Sequence, residues 1–215
     1  MIVSPSILAA NKERLVEEVK LAESLGAEFL HFDVMDGKFV PNTSYTIADL
    51  DKIAPHHTMV NDVHIMVVDP EVEAIDFANH GADIVTFHIE ALNDEKRVNE
   101  LIKNLHKLNC KVGISVKPNT EVEVLYLYLN KIDLALVMSV EPGKGGQKFM
   151  PLALEKIAKL RKYIDENKCE CLIEVDGGIN AETGKLCKDA GADVLVAGSY
   201  LFGHEDIKER IESLR

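Results

Sequence analysis

The chain has 215 residues, of which 47% are hydrophobic and 28% charged, a composition that indicates a folded globular protein and excludes a disordered one. Its net charge of -12 is not offset by any basic run, so nucleic acid and anionic membrane surfaces are not expected partners. The amino terminus lacks the basic and apolar segments of a signal peptide, and no apolar run is long enough to cross a membrane, so we expect a cytoplasmic protein.

Eight short apolar runs, rich in β-branched residues, alternate with eight amphipathic segments. The predicted strands are Ile2–Ser6, Phe29–Val34, Val60–Met66, Ile84–Ile89, Lys111–Val116, Leu134–Val140, Cys171–Asp176 and Val194–Ser199. The predicted helices lie at about Asn11–Leu25, Thr46–Ile53, Pro70–His80, Asp94–Leu108, Glu121–Leu129, Pro151–Asn167, Ala181–Ala190 and His204–Leu214.

This strict alternation of strand and helix indicates a parallel sheet that is covered by helices. The strands are apolar along their whole length, which is typical of strands buried on both faces. Eight units favour a closed (β/α)8 TIM barrel of the α/β class over an open sheet. No linker or change of composition divides the chain, so residues 1–215 are predicted to form a single domain.

The four cysteines are not spaced as a metal site. They are Cys110, Cys169, Cys171 and Cys187, and no C-x-x-C pair occurs among them. Reduced thiols in a cytoplasmic protein are the expected state.

Polar residues gather at the carboxyl ends of the predicted strands, which is where barrel enzymes carry their reactive groups. They are Ser6, His31, Asp33, His64, His88, Ser139, Asp176 and Ser199. A polar residue is unexpected at the end of an apolar buried strand. Their concentration at one end of several strands is therefore the main functional signal in the pattern.

Side chains alternate between the two faces of a strand, so residues two apart should face the barrel interior together. The sets are His31, Asp33 and Met35; Asp62, His64 and Met66; and Glu174 and Asp176. Two imidazoles and two carboxylates meeting there are a plausible ligand set for a divalent metal. A lone strand histidine is more often a core residue, whereas a buried carboxylate needs a partner or a metal. The pattern alone leaves a metal or acid–base site and a structural core both open.

The remaining interior residues have two interpretations each. Asp62 and Glu174 lie one layer deeper by the same alternation and are interpreted as polar partners, not catalysts. Met35, Met66 and Met138 fall near strand ends, where methionine either fills gaps in the core or offers a polarizable lining beside a planar, electron-rich intermediate.

Glycines are concentrated after the last three strands. Three of them lie in the segment Ser139–Gln147, at Gly143, Gly145 and Gly146, and further ones occur at Gly177, Gly178 and Gly198. Glycine lets backbone N–H groups approach an anion closely. Loops after the last strands of such barrels commonly bind phosphate. These loops therefore predict a phosphate site.

At this point the motifs resemble those of the ribulose-phosphate 3-epimerase family, in order and nearly from end to end. They are Ser4-Pro5-Ser6, His31-Phe32-Asp33-Val34-Met35-Asp36-Gly37, Phe39-Val40-Pro41-Asn42, Asp62-Val63-His64-Ile65-Met66, Met138-Ser139-Val140, Pro142-Gly143, Gly145-Gly146-Gln147, Glu174-Val175-Asp176-Gly177-Gly178 and Val196-Ala197-Gly198-Ser199.

The resemblance implies a metal-dependent interconversion of D-ribulose 5-phosphate and D-xylulose 5-phosphate by proton transfer through an enediolate. It implies one divalent ion (Zn, Fe, Mn or Co) on His31, Asp33, His64 and Asp176, with Asp33 and Asp176 as the acid–base pair. The implied substrate-binding residues are Ser6, His64, Gly143, Lys144, Gly145, Gly146, Gly177, Gly178, Gly198 and Ser199. Met35, Met66 and Met138 are expected to line the active site. A phosphoketose substrate and a homo-oligomeric state are also expected.

Two segments depart from the family pattern. Lys144 stands where the family usually has an aromatic residue, and Thr43-Ser44-Tyr45-Thr46 lacks the expected Gly-Pro. Because the second segment is expected at the mouth of the site, a phosphoketohexose such as D-allulose 6-phosphate stays open as the substrate.

Two further functions stay open as more distant alternatives. A decarboxylase or aldolase on the same scaffold is one, and its Schiff-base form would need Lys117, the only lysine just past a strand end. A non-catalytic sugar-phosphate-binding barrel is the other, since a fold does not fix a function.

Overall fold

A computed structural model describes residues 1–92 and 94–215 of the chain. Eight parallel strands form one sheet in the order β1-β8-β7-β6-β5-β4-β3-β2. The strands are β1 Ile2–Pro5, β2 Phe29–Met35, β3 Val60–Met66, β4 Ile84–His88, β5 Lys111–Val116, β6 Leu134–Met138, β7 Leu172–Asp176 and β8 Val194–Ala197. Because the first strand pairs with the last, the sheet curls into a barrel, and the predicted (β/α)8 fold is confirmed.

The barrel closes at a seam between β1 and β2. These strands meet through a parallel bridge between Ser6 and His31 and through the Glu28 N–H, which donates to the Val3 carbonyl oxygen at 3.3 Å. By contrast, β1 pairs with β8 residue by residue along its whole length. The barrel is therefore nearly closed, with its weakest junction at β1 and β2.

In the described part of the chain, seven α-helices surround the barrel. They are α1 Leu15–Ser24, α2 Ile47–Ile53, α3 Pro70–Asn79, α4 Glu95–Lys107, α5 Leu152–Asn167, α6 Ala181–Ala190 and α7 Ile207–Ser213. None of these helices is long and apolar enough to cross a bilayer.

The predicted helix at Glu121–Leu129 is wrong. The structure has a single 3-10 turn, Val122–Leu125, in which Val122 and Leu125 are buried. Beyond it the Tyr128 N–H donates to the Leu125 carbonyl, again three residues back. Valine or tyrosine stands at positions 122, 124, 126 and 128, and both residue types have low helix propensity, so burial of two side chains fixes only a turn.

Helix α4 shows why the other predicted helices form. Its buried residues are Val98, Leu101, Ile102 and Leu105, a spacing that puts all four on one face. The Asp94 side chain accepts hydrogen bonds from two backbone N–H groups of the first turn, which would otherwise lack partners. Each large side chain buried on such a face contributes about 1.5–3 kcal/mol.

The barrel interior has an apolar base and a polar middle. Phe29, Ile84, Leu134 and Val194 pack together at the amino-terminal ends of the strands. The layer above contains fully buried polar residues: Ser4, His31, Asp62, Thr86, Ser115 and Glu174. The polar interior leads directly to the carboxyl ends of the strands.

Candidate active site

The register between β2 and β3 positions the key side chains. It pairs Asp33 with His64 and His31 with Asp62, all directed into the barrel. Asp176 ends β7. His31, Asp33, His64 and Asp176 each offer a ligand atom within 4.8 Å of the others. The structure thus brings together all four residues that the sequence suggested as metal ligands.

Asp62 orients the imidazole ring of His31. His31 Nδ1 lies 2.6 Å from Asp62 Oδ2, and an ionised carboxylate only accepts, so this nitrogen donates. The opposite nitrogen, Nε2, lies 3.5 Å from Asp33 Oδ1 and has no hydrogen-bond partner, although the residue is fully buried. A histidine held by a carboxylate through its far nitrogen is the usual arrangement of a metal-binding histidine.

The second imidazole approaches the same carboxylate oxygen. His64 Nδ1 lies 3.4 Å from Asp33 Oδ1 and also has no hydrogen-bond partner. Two buried imidazole nitrogens without partners therefore face one carboxylate. Buried polar atoms are rarely left unpaired. A divalent cation bound by imidazole and carboxylate ligands would satisfy both nitrogens, so the residues fit such an ion.

Behind His64 lies a chain of contacts to which the sequence assigned no role. His64 Nε2 lies 2.9 Å from His88 Nε2, and His88 Nδ1 lies 3.1 Å from Glu90 Oε2. Burial lowers the pKa of His88 to about 4. The signal in the sequence was the alternation of β4 through Thr86 and His88, which puts both on the interior side, whereas Glu90 follows the strand.

The two aspartates differ in protonation. Burial opposes ionisation of Asp33, but the charges and hydrogen bonds of His31 and His64 outweigh it and hold the pKa of Asp33 well below its usual range. Burial, together with the negative charge of Asp33, raises the pKa of Asp176 to about 7. At neutral pH the Asp33 carboxyl is therefore ionised, whereas Asp176 retains a proton much more readily than an ordinary aspartate.

The same environment favours the protonated form of His31. Burial lowers its pKa, yet the negative charges of Asp62 and Asp33 more than compensate and raise the pKa well above the usual value. Ser6 Oγ donates to Asp33 Oδ2 at 2.7 Å and so fixes the carboxylate. A cation between the imidazoles would take the place of the proton on His31.

A cavity of about 400 Å³ opens above the aspartates. Its lining includes most of the residues expected there: Ser6, Asp33, Met35, Met66, Met138, Gly143, Lys144, Gly145, Gly146, Asp176, Gly177, Gly178, Gly198 and Ser199. His31 and His64 are fully buried beneath the floor. The substrate contact expected of His64 stays a prediction, and its ring lies below the cavity surface in this structure.

The loops at Gly143 and Gly178 pack closely against neighbouring segments because glycine has no side chain. Gly178 has a φ of +62°, and a Cβ at this position would collide with the backbone of Phe149. Gly143 has a φ of +107°, and a Cβ there would lie 2.7 Å from the Val40 side chain. The Asn42 side chain donates to the Gly143 carbonyl at 2.7 Å and ties this loop to the one after β2.

Lys117 lies outside the cavity lining. Its Nζ lies 3.9 Å from the centre of the Phe39 ring, in a cation–π contact. A Schiff-base role for this lysine gains no support from its position.

Comparisons with known proteins find relatives along nearly the whole chain. The model of the Ribulose-phosphate 3 epimerase family matches residues 2–202. The ribulose-phosphate 3-epimerase of Bacillus subtilis is 42% identical over 214 residues, covering 99% of this chain and 97% of its own. The chloroplastic ribulose-5-phosphate-3-epimerase of Arabidopsis thaliana is 40% identical over 215 residues, covering 100% of this chain and 76% of its own.

Solved structures share the fold at low identity. Phosphoribosyl anthranilate isomerase from Thermus thermophilus aligns with a TM-score of 0.66 and 15% identity, covering 100% of this chain and 96% of that chain. A mutant tryptophan synthase alpha-subunit from Pyrococcus furiosus aligns with a TM-score of 0.71 and 15% identity, covering 99% and 96%. At this sequence identity the similarity shows only that the barrel fold is shared.

Proposed function

Since the chain belongs to the ribulose-phosphate 3-epimerase family, we propose that it interconverts D-ribulose 5-phosphate and D-xylulose 5-phosphate with the help of a divalent cation. The family consists of isomerases that act on sugar phosphates, so the chain is an enzyme of this class. One observation carries the specific proposal. Two aspartates, one ionised and one with a pKa raised to about 7, converge at the floor of a cavity lined by glycine loops.

Inversion of a carbon centre needs an acid and a base on opposite faces of a planar intermediate. Asp33 comes from β2 and Asp176 from β7, so the two carboxyl groups approach the cavity from different sides of the barrel. The ionised carboxylate of Asp33 removes the proton from C3 of one epimer, which yields an enediolate. The carboxylic acid of Asp176 donates its proton to the other face of C3. In the reverse reaction the roles are exchanged.

His31, Asp33, His64 and Asp176 are the residues that would hold the cation. When bound there, a divalent ion supplies Lewis-acid stabilisation of the negative charge that develops on the substrate oxygens. An aspartate has a usual pKa of about 3.9 and is a weak base, so this stabilisation is needed for carbon acid chemistry.

The methionines and the glycine loops complete the proposed site. Met35, Met66 and Met138 contribute apolar, polarizable surface without a competing proton donor. The loops at Gly143–Gly146 and Gly177–Gly178 line the cavity and offer backbone to the phosphate group. A cytoplasmic location and a homo-oligomeric state stay predictions.

Replacing Asp176 tests the proposal. Asp176→Asn removes the acid that protonates the second face of the enediolate at C3. We therefore expect epimerisation to fall at least about 10³-fold in both directions. Asp33 can still remove and return a proton on its own side, so one epimer alone should exchange its C3 hydrogen with deuterium from the solvent. Enzymatic detection of xylulose 5-phosphate measures the conversion, and NMR measures the hydrogen exchange.

Two measurements complete the test. Bound metal is determined on the same samples, because loss of the ion would also stop the reaction. Epimerisation by Asp176→Asn at the wild-type rate would contradict the assignment of the acid–base pair. Turnover of D-allulose 6-phosphate, measured in parallel, distinguishes a hexulose from a pentulose substrate.

A further inference from the structure

We propose that Glu90 is a positioning residue that acts through His88 to fix which nitrogen of His64 carries the hydrogen. The inference rests on the proposed function only in taking His64 as a ligand of the cation. Glu90 lies in the short 3-10 turn Ile89–Ala91 after β4 and contacts no ligand directly. It would control the ligand through two successive hydrogen bonds.

The direction of these hydrogen bonds follows from the carboxylate. An ionised carboxylate has no hydrogen to give, so His88 Nδ1, at 3.1 Å from Glu90 Oε2, is the donor. In a neutral imidazole the other nitrogen then has a lone pair and accepts. His88 Nε2 therefore accepts from His64 Nε2 across 2.9 Å. His64 Nδ1 is left with its lone pair and faces Asp33 Oδ1 at 3.4 Å.

Glu90 is held in a single orientation. Its other oxygen, Oε1, accepts from the Lys117 backbone N–H at 2.7 Å and from Thr120 Oγ1 at 2.5 Å. Both donors belong to the loop after β5. The Phe39 ring covers His88 from above, with ring centres 5.0 Å apart. The relay from Glu90 to His64 is thus oriented at one end, and both of its histidines are fully buried.

This anchoring makes one substitution especially informative. In Glu90→Gln, the Lys117 N–H and the Thr120 hydroxyl would retain the amide oxygen at the Oε1 position, since both donate. The amide nitrogen would then face His88 Nδ1 and donate to it. His88 Nε2 would carry the hydrogen and donate to His64 Nε2. His64 Nδ1 would become protonated and lose the lone pair needed for a cation, although no atom in the cluster has been removed.

The first measurement reads the hydrogens directly. Long-range ¹⁵N–¹H NMR spectra of the metal-free, ¹⁵N-histidine-labelled protein distinguish the two neutral forms of each imidazole. In the wild type we expect hydrogen on Nδ1 of His88 and on Nε2 of His64. In Glu90→Gln we expect both rings to show the opposite form, a change that a merely structural role of Glu90 would not produce.

The second measurement is the affinity for Zn²⁺, by competition with a chromogenic chelator. We expect Glu90→Gln to bind Zn²⁺ roughly 10- to 100-fold more weakly than the wild type, the usual effect of disturbing a partner of a metal ligand. Glu90→Asp keeps a carboxylate acceptor and should keep the wild-type hydrogen positions. Glu23→Gln is the matched control: Glu23 Oε1 also accepts from one backbone N–H and one threonine hydroxyl, both of Thr58, far from the site.

The outcomes separate this inference from the proposed function. Hydrogen on Nδ1 of His64 in the metal-free wild type would overturn the inference without any variant having to fold. So would wild-type hydrogen positions, or Zn²⁺ affinity within twofold of the wild type, in folded Glu90→Gln. A wild-type protein that fails to epimerise ribulose 5-phosphate would instead refute the proposed function and leave the hydrogen positions as measured.

Discussion

Asp33 and Asp176 are the same amino acid in two different electrostatic environments. Asp33 has two imidazoles within 3.5 Å and a hydroxyl donor at 2.7 Å, so its ionised form is stabilised. Asp176 is half-buried at the cavity floor and close to that negative charge, so its neutral form is stabilised. The difference arises from neighbours on β2, on β3 and just after β1, and not from the two residues themselves.

The charges around His31 predict that binding of a divalent ion depends on pH. Burial lowers the pKa of His31, but the negative charges of Asp62 and Asp33 outweigh it and raise the pKa well above its usual value, so His31 holds a proton in the metal-free protein that a ligand nitrogen must lose. Affinity for Zn²⁺ should therefore fall at least about tenfold for each pH unit below pH 7. Calorimetry in two buffers of different ionisation enthalpy counts the protons released, and equal affinity at pH 6 and pH 7 would contradict the prediction.

The site shows how far single residues can be interpreted from sequence. Alternation along β2 was enough to put His31 and Asp33 on one face, because that rule is local. The pairing of His64 with Asp33 depends on the register of two strands, which the sequence pattern does not specify. Glu90 could not be identified as important, since its significance comes from donors on a loop 27 and 30 residues further along.

At the scale of elements, helices were predicted well where a capping residue next to the apolar pattern marks the end of the helix. Helix α6, Ala181–Ala190, has the predicted bounds because Asn180 caps it and its cap is completed by Thr183. The segment at Glu121–Leu129 was predicted wrongly because apolar residues alone do not distinguish a helix from a turn. Its stacked contact, Tyr126 on Tyr163 with ring centres 3.9 Å apart, is tertiary and invisible in a local pattern.

The loop after β7 depends on a residue without a side chain. Gly178→Ala should destabilise the fold because alanine disfavours a φ of +62° and its Cβ would collide with the Phe149 backbone. Gly203→Ala is the matched control, since Gly203 has a φ of +82° but open space around it. We expect the control to cost roughly 1 kcal/mol from backbone strain, and Gly178→Ala about 1–3 kcal/mol more from the collision. Urea unfolding measures both, and equal losses would show that the loop relaxes freely.

At the scale of the whole molecule, an ion that binds only the folded barrel should stabilise all of it. With Zn²⁺ at about 100 times its dissociation constant the gain is about 2.7 kcal/mol, which for a chain of this size corresponds to roughly 5–10 °C in Tm. Thermal unfolding with Zn²⁺ and with a chelator measures the difference. His64→Ala should lose this shift, whereas His80→Ala, which removes an exposed histidine, should keep it. A full shift in His64→Ala would exclude His64 as a ligand.

The seam between β1 and β2 has a consequence for when the enzyme can first work. β1 is made first on the ribosome but forms its continuous ladder with β8, the last strand to be made. Ser6 follows β1 and donates a hydrogen bond to Asp33, while Gly198 and Ser199 follow β8 and line the same cavity beside Ser6. These groups come together only when β8 pairs with β1, so we expect a chain that ends before β8 to lack activity.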